Sequence, residues 1–173
     1  MRVFYAVTFK EKTKKDLKKI KDIIENNSKK GRFSYYKNYH ITLEFIGEVD
    51  SDKLILLKNI LKELKSFPDV LIFDKIGNFI RRGGDIVWLG IEENTTLNEL
   101  NTELKILLEN KGFETDGRKF TPHLTIGRKV LMESSYETIH LHEIKAKVNS
   151  IALMESKRLK GKLVYEAVEE IKI

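Results

Sequence analysis

The stretch Tyr39–Ile46 (YHITLEFI) alternates between polar and apolar residues, a pattern that predicts a β-strand. Successive side chains of a strand point to opposite faces, so His40 and Thr42 share one face. Ile41 and Leu43 share the other. We expect the apolar pair to anchor the strand in a core and the polar pair to face a cleft.

The same arrangement occurs again 83 residues later, where a strand predicted over Pro122–Lys129 contains His123-Leu124-Thr125-Ile126. Other predicted features coincide at this offset: the strands Arg2–Phe9 and Asp85–Glu92, and the helix-capping residues Thr13 and Thr96. Internal repeats of this kind indicate duplicated structural units. The sequence therefore predicts one bilobal domain over residues 1–173, with pseudo-two-fold halves at about 1–80 and 85–173. Such lobes would place the two His-x-Thr pairs across one cleft.

Helix caps and the helical spacing of apolar residues predict three helices between the strands. These run from Thr13 to about Asn27, from Asp50 or Ser51 to near Pro68, and from Thr96 to Gly112. Further strands are predicted over Val70–Phe79, Asp85–Glu92, Ile139–Met154 and Leu163–Ile171, with turns at Arg81–Gly84 and Lys160–Lys162. Long strands with three helices predict an α+β fold, in which antiparallel sheets line a central cleft and helices pack outside.

The composition excludes several classes of protein. The 173 residues include no cysteine, which rules out thiol nucleophiles, iron–sulfur clusters, cysteine-ligated zinc and disulfides. No apolar run approaches the ~18 residues that a membrane-spanning helix needs, so we expect no membrane partner. We expect a cytoplasmic monomer.

The net charge of +6 is concentrated near the start of the chain. Residues 1–30 hold ten Lys and Arg against four acids, a difference that equals the net charge of the whole chain. A solvated lysine face on an amphipathic helix explains this, and so does a docking surface for a polyanion. The charge alone therefore does not identify an RNA-binding protein.

The histidines of the two predicted strands, His40 and His123, are suited to acid–base chemistry at phosphorus. An imidazole has an unperturbed pKa of ~6.5, so near neutrality one histidine can accept a proton while its partner donates one. Thr42 and Thr125 can donate hydrogen bonds to phosphate oxygens. Such a site needs neither a metal nor another cofactor, and a zinc site is disfavoured because no His-Glu-x-x-His spacing occurs. Which histidine is the acid stays open on residue patterns alone.

Arg128, His140 and His142 lie outside the two His-x-Thr pairs. Arg128 is suited to a charge-assisted contact with the same phosphate, but it lies five residues after His123 and would face away in an ideal strand. A bulge at Gly127 or the end of the strand would turn it inward. His140 and His142 have no partner threonine, and we expect them at the surface.

The chain resembles the two-histidine (2H) phosphoesterase superfamily, and within it the RNA 2′,3′-cyclic phosphodiesterases, also called 2′-5′ RNA ligases. The resemblance rests on the opening strand Met1–Val7, the first motif His40–Gly47, the second motif Phe120–Arg128, and a C-terminal signature of Leu153–Ser156 with Gly161 and Tyr165. It covers most of the chain.

The resemblance implies metal-independent hydrolysis of RNA 2′,3′-cyclic phosphate ends to 2′-phosphomonoesters. It implies that His40 is the proton donor to the leaving 3′ oxygen and His123 the proton acceptor that activates water. Thr42 and Thr125 would hold the phosphate, with assistance from Arg128. The implied partner is RNA with 2′,3′-cyclic phosphate termini, with tRNA fragments among the candidates, and the family name also implies reversible ATP-independent 2′-5′ joining.

The chain departs from the family where a tryptophan usually precedes the first motif. Tyr35, Tyr36 and Tyr39 occupy this region, and we take Tyr36 as the substrate-binding candidate, since an aromatic ring can stack on a base. We expect Trp88, the only tryptophan, to lie in the core.

Two alternatives remain open. The same site would suit a small cyclic phosphodiester, such as ADP-ribose 1″,2″-cyclic phosphate, or a 2′-5′ linkage. A non-catalytic RNA-end-binding module would use the basic helix and the basic turns equally well.

Overall fold

Eight strands and three α-helices confirm the predicted α+β class. The computed structural model describes every residue from Met1 to Ile173. The elements in chain order are β1 (Arg2–Phe9), α1 (Glu11–Asn26), β2 (Ser28–Phe33), β3 (His40–Glu48), α2 (Ser51–Glu63), β4 (Val70–Phe79), β5 (Asp85–Ile91), α3 (Thr95–Asn110), β6 (His123–Met132), β7 (Ile144–Leu159) and β8 (Lys162–Lys172).

The strands form one antiparallel sheet in the order β2-β6-β5-β4-β7-β1-β3, and β8 also pairs with β7. The strand β7 joins two parts of the sheet, β2-β6-β5-β4 on one side and β1-β3 with β8 on the other. Its first residues, Ile144–Lys147, pair with β4, whereas its later residues pair with β1 and β8. The strand that begins at His40 is separated from β7 by β1 alone, and the strand that begins at His123 is separated from it by β4 and β5.

One core takes side chains from all three helices and from both halves of the sheet. The amphipathic helix α1 contributes Leu17, Ile20 and Ile24 to this core. A second, small apolar cluster includes Phe4 and Ala6 and lies on the opposite face of β1 and β7. The strand β1 is therefore buried on both faces, and its second face contributes to the site described below. No helix combines the length and the apolar character needed to cross a membrane.

The predicted caps at Thr13 and Thr96 are wrong. The helix α1 begins at Glu11 and has no side-chain cap, whereas Asn94 caps α3 by accepting a hydrogen bond from the Leu97 N–H. Asparagine is as good an N-cap as threonine, and the actual caps lie two or three residues before the expected ones. The predicted cap of α2 at Asp50 is confirmed. The internal duplication stays a prediction, although β3 and β6 both begin at their histidines.

The strand β2 was not predicted. Its sequence, SKKGRF, shows no apolar alternation, and it becomes a strand by pairing with β6 at one edge of the sheet. His140 and His142 are exposed, as expected, but they lie in the loop before β7 rather than in a strand. The predicted hairpin at Lys160–Lys162 is confirmed as the turn between β7 and β8.

The turn between β4 and β5 packs against the backbone of β6. Gly84 has φ +126°, and a Cβ at this position would lie 2.5 Å from the carbonyl carbon of Lys129. Gly83 has φ +86°, and a Cβ there would meet nothing within 4 Å.

We predict that Gly84→Ala lowers the free energy of unfolding by about 2 kcal/mol or more, because it combines a collision with a backbone conformation that alanine rarely adopts. In the control Gly83→Ala only the left-handed backbone conformation is unfavourable, so the free energy of unfolding should fall by about 1 kcal/mol. Urea unfolding of both variants measures the difference. Equal losses would show that contact with Lys129 does not constrain this turn.

Candidate active site

Both motif strands have the alternation expected from the sequence. On β3, Ile41 and Leu43 are buried in the core, and on β6 the same is true of Leu124 and Ile126. The histidines and threonines therefore lie on the opposite face. Thr42 pairs across the sheet with Ala6, and Thr125 pairs with Trp88.

Each imidazole is held by a hydrogen bond from Nδ1 to a nearby backbone carbonyl. His40 Nδ1 donates to the Asn38 oxygen at 2.6 Å, and His123 Nδ1 donates to the Thr121 oxygen at 2.7 Å. A carbonyl can only accept, so it fixes the proton on Nδ1 and leaves Nε2 for chemistry. His40 Nε2 lies 3.0 Å from Thr42 Oγ1, which donates to it in the neutral imidazole.

Aromatic rings pack against both histidines. The His40 ring lies 4.9 Å from Phe4 and 5.1 Å, edge-on, from Tyr165 between ring centroids. The His123 ring lies 5.3 Å from Phe79, edge-on, and 5.9 Å from Trp88. These contacts restrict the orientation of each imidazole.

The predicted core position of Trp88 is wrong. The indole is half-buried on the same face as His123, and it lies over Gly77, where any Cβ would collide with its ring. The sequence contained a signal for this placement. Val87 and Leu89 are the buried neighbours of Trp88, so alternation along β5 puts the tryptophan on the face away from the core.

Burial is the main cause of an unusual pKa at His40. Desolvation, the largest cause, and the nearby charges of Lys14 and His123 together lower the pKa of this imidazole to about 4, against the opposing effect of the hydrogen bond to the Asn38 carbonyl. In the free protein His40 is therefore neutral near pH 7. The strands β3 and β6, which begin at the two histidines, also contact each other.

The bulge that Arg128 needs is present. Between the Trp88–Thr125 pair and the Val87–Gly127 pair the register of β6 shifts by one residue, which turns Arg128 to the same side as the histidines. Its positive charge reaches Tyr165, where it opposes the rise in pKa that burial causes at the phenol. Arg128 thus lies near the ring that contacts His40.

The tyrosines before the first motif differ in their surroundings. Tyr36 donates a hydrogen bond to Glu11 Oε1 at 2.8 Å, and its ring packs edge-on against Tyr35. Tyr35 is 57% exposed, and Tyr39 is buried. No contact joins Tyr36 to either histidine, so its role in binding substrate stays a prediction. No cluster of three or more histidine or acidic side chains that could hold a metal ion occurs in the chain.

A family profile described as the 2′-5′ RNA ligase superfamily matches residues 11–160. The chain belongs to this superfamily. It is 30% identical to the RNA 2′,3′-cyclic phosphodiesterase of Methanocaldococcus jannaschii, an alignment that covers 98% of this chain and 99% of that protein. It is 33% identical to the enzyme of the same name from Thermotoga maritima, over 80% of this chain and 75% of that protein.

The chain shares its fold with a solved structure. The E. coli LigT structure complexed with 3′-AMP superimposes with a TM-score of 0.78 at 22% sequence identity, covering 99% of this chain and 97% of that chain. The likeness confirms the α+β architecture with its antiparallel sheet and three helices.

We predict that NMR titration of the free protein gives His40 a pKa near 4, below the ordinary ~6.5, because burial and neighbouring charges favour the neutral form. Lys14→Gln should raise this pKa, since it removes one of those charges. Lys15→Gln, at an exposed position one residue away on α1, is the control and should leave it unchanged. An ordinary His40 pKa in the unaltered protein would contradict the desolvated site.

Proposed function

We propose that this protein hydrolyses RNA 2′,3′-cyclic phosphate ends to 2′-phosphomonoesters, with His40 and His123 as proton donor and proton acceptor. The observation that carries the proposal is the matched anchoring of the two imidazoles. Each has its Nδ1 hydrogen-bonded to a carbonyl two residues earlier, which leaves Nε2 as the nitrogen for proton transfer, and each is followed two residues later by a threonine on the same face. The relatives named RNA 2′,3′-cyclic phosphodiesterases support this substrate.

The reaction proceeds by attack of water on phosphorus. His123 Nε2 takes a proton from the water as its oxygen bonds to phosphorus. The bond from phosphorus to the 3′ oxygen breaks, and His40 Nε2 gives its proton to that oxygen. The products are a 3′ hydroxyl and a 2′-phosphomonoester, and proton exchange with solvent restores both imidazoles.

The low pKa of His40 makes its protonation depend on the substrate. A proton donor must carry its proton when the substrate is bound, and an anionic phosphate beside the ring favours the charged imidazole. When Nε2 is protonated, Thr42 no longer donates to it and is free to donate to a phosphate oxygen. Binding of the phosphate therefore favours protonation of His40, and the Thr42 hydroxyl then donates its hydrogen bond to the phosphate.

Thr125 and Arg128 complete the contacts to the phosphate. Thr125 occupies on β6 the position relative to His123 that Thr42 occupies relative to His40. Arg128 supplies the one positive charge of the second motif, and hydrogen bonds from a guanidinium strengthen as charge grows on the phosphate oxygens. The partly buried site increases these contributions because less water competes for the phosphate.

The same groups allow joining of RNA ends. The 5′ hydroxyl of a second RNA end, in place of water, attacks phosphorus and expels the 3′ oxygen, which gives a 2′-5′ linkage without ATP, since the energy of the broken phosphodiester is retained in the new one. tRNA fragments are candidate substrates. Because the proposed catalytic residues all come from one chain, we propose that the monomer is active.

We predict that His40→Ala and His123→Ala each lower kcat about 10²- to 10⁴-fold on an oligoribonucleotide that ends in a 2′,3′-cyclic phosphate, because each removes one proton-transfer group. The assay contains EDTA, which should leave the unaltered protein active. His140→Ala, at an exposed histidine outside the site, is the matched control and should retain full activity.

Wild-type rates in either site variant would refute the role proposed for that histidine. Retained RNA binding together with no turnover by the unaltered protein would favour the non-catalytic module. Faster turnover of ADP-ribose 1″,2″-cyclic phosphate than of the RNA end would favour the small-molecule substrate.

A further inference from the structure

Two arginines lie directly opposite one another on the edge strand β2 and its neighbour β6. Arg32 on β2 pairs with Arg128 on β6. Residues in this relation have Cβ atoms about 4.5–5.5 Å apart and project from the same face, and like charges placed so are destabilising. Both side chains are exposed, and neither forms an ion pair or a side-chain hydrogen bond.

The neighbouring pair shows which face the arginines occupy. Phe33 pairs with Gly127, and the Phe33 ring packs against the core beside Gly127, where a Cβ would lie 3.0 Å from it. Arg32 and Arg128 are each one residue further along their strands, so they project from the opposite face. This is the face of the sheet that carries His123 and Thr125.

The two arginines differ in their distance from the reaction centre. The charge of Arg128 acts on Tyr165, the ring packed against His40. Arg32 lies one strand further out, on the edge of the sheet. The rest of β2 is also basic: Lys29 and Lys30 are exposed and form no ion pair, and the strand has no acidic residue.

We propose that Arg32 binds the internucleotide phosphate immediately 5′ of the terminal nucleotide, while Arg128 beside it contacts the terminal phosphate. The negative charge of the two bound phosphates would offset the repulsion between the two guanidinium groups, and the internucleotide phosphate would accept charge-assisted hydrogen bonds from Arg32. This inference rests on the proposed function and narrows its substrate to an oligonucleotide, in preference to a nucleoside 2′,3′-cyclic monophosphate. Lys29 and Lys30 extend the positive surface along β2 for the next part of the RNA chain.

The test compares the unaltered protein with Arg32→Gln on three substrates. The first is a nucleoside 2′,3′-cyclic monophosphate, which has no second phosphate. The second is a dinucleotide with a 2′,3′-cyclic phosphate end, and the third is the same dinucleotide with a neutral methylphosphonate linkage. We expect Arg32→Gln to lower kcat/KM about tenfold on the second substrate and to leave the other two unchanged.

Two further measurements sharpen the comparison. For the dinucleotide, the slope of log(kcat/KM) against log salt should become shallower by about 0.7 in Arg32→Gln, as expected for the loss of one phosphate contact on a single strand. Lys53→Gln removes one exposed positive charge from α2, away from this face, and should change neither quantity.

Any other pattern of loss across the three substrates overturns the inference. An equal loss on all three substrates would place Arg32 at the terminal phosphate, and no loss on any would show that it binds no phosphate. If the unaltered protein turned over none of them, the proposed function would fail. Calorimetric binding of the dinucleotide 2′-phosphate would then still decide the role of Arg32, since equal affinity of the two proteins would refute it.

Discussion

The backbone hydrogen bonds of β7 join the two parts of the sheet that carry His40 and His123, and the positions of both histidines depend on them. Residues Ile144–Lys147 bond to β4, and the later part of the strand bonds to β1 and β8. From β7 the sheet reaches His40 through one strand and His123 through two. Any change in the register of β7 would move one imidazole relative to the other, so the geometry of the site is a property of the whole sheet.

The chemistry of the site follows from how each imidazole is held. The carbonyl oxygens of Asn38 and Thr121 fix the protons on Nδ1, and aromatic rings restrict the orientation of both side chains. Burial lowers the pKa of His40 and makes its charged form depend on a bound anion. The positive charge of Lys14 acts in the same direction as burial, which connects part of the lysine-rich α1 directly to the site rather than only to solvent.

Local patterns predicted most elements, and tertiary contacts explain the misses. The alternation around His40 and His123 was sufficient to predict both strands and their buried faces, because those strands are half-buried. The strand β2 had no such pattern, since its pairing with β6 makes it a strand. Alternation along β5 was sufficient to predict the face on which Trp88 lies, whereas the space for its ring depends on the pairing of Trp88 with Gly77 on the neighbouring strand. The pairing of Arg32 with Arg128 required the register of two strands distant in sequence.

The central claim is that water attacks phosphorus between two imidazoles and expels the 3′ oxygen. Hydrolysis of an oligoribonucleotide 2′,3′-cyclic phosphate in H₂¹⁸O, followed by ³¹P NMR and mass spectrometry of the product, tests it most directly. The account predicts a 2′-phosphomonoester with one ¹⁸O on phosphorus and an unlabelled 3′ hydroxyl. A 3′-phosphomonoester would contradict it, because the 2′ oxygen would then be the group that leaves.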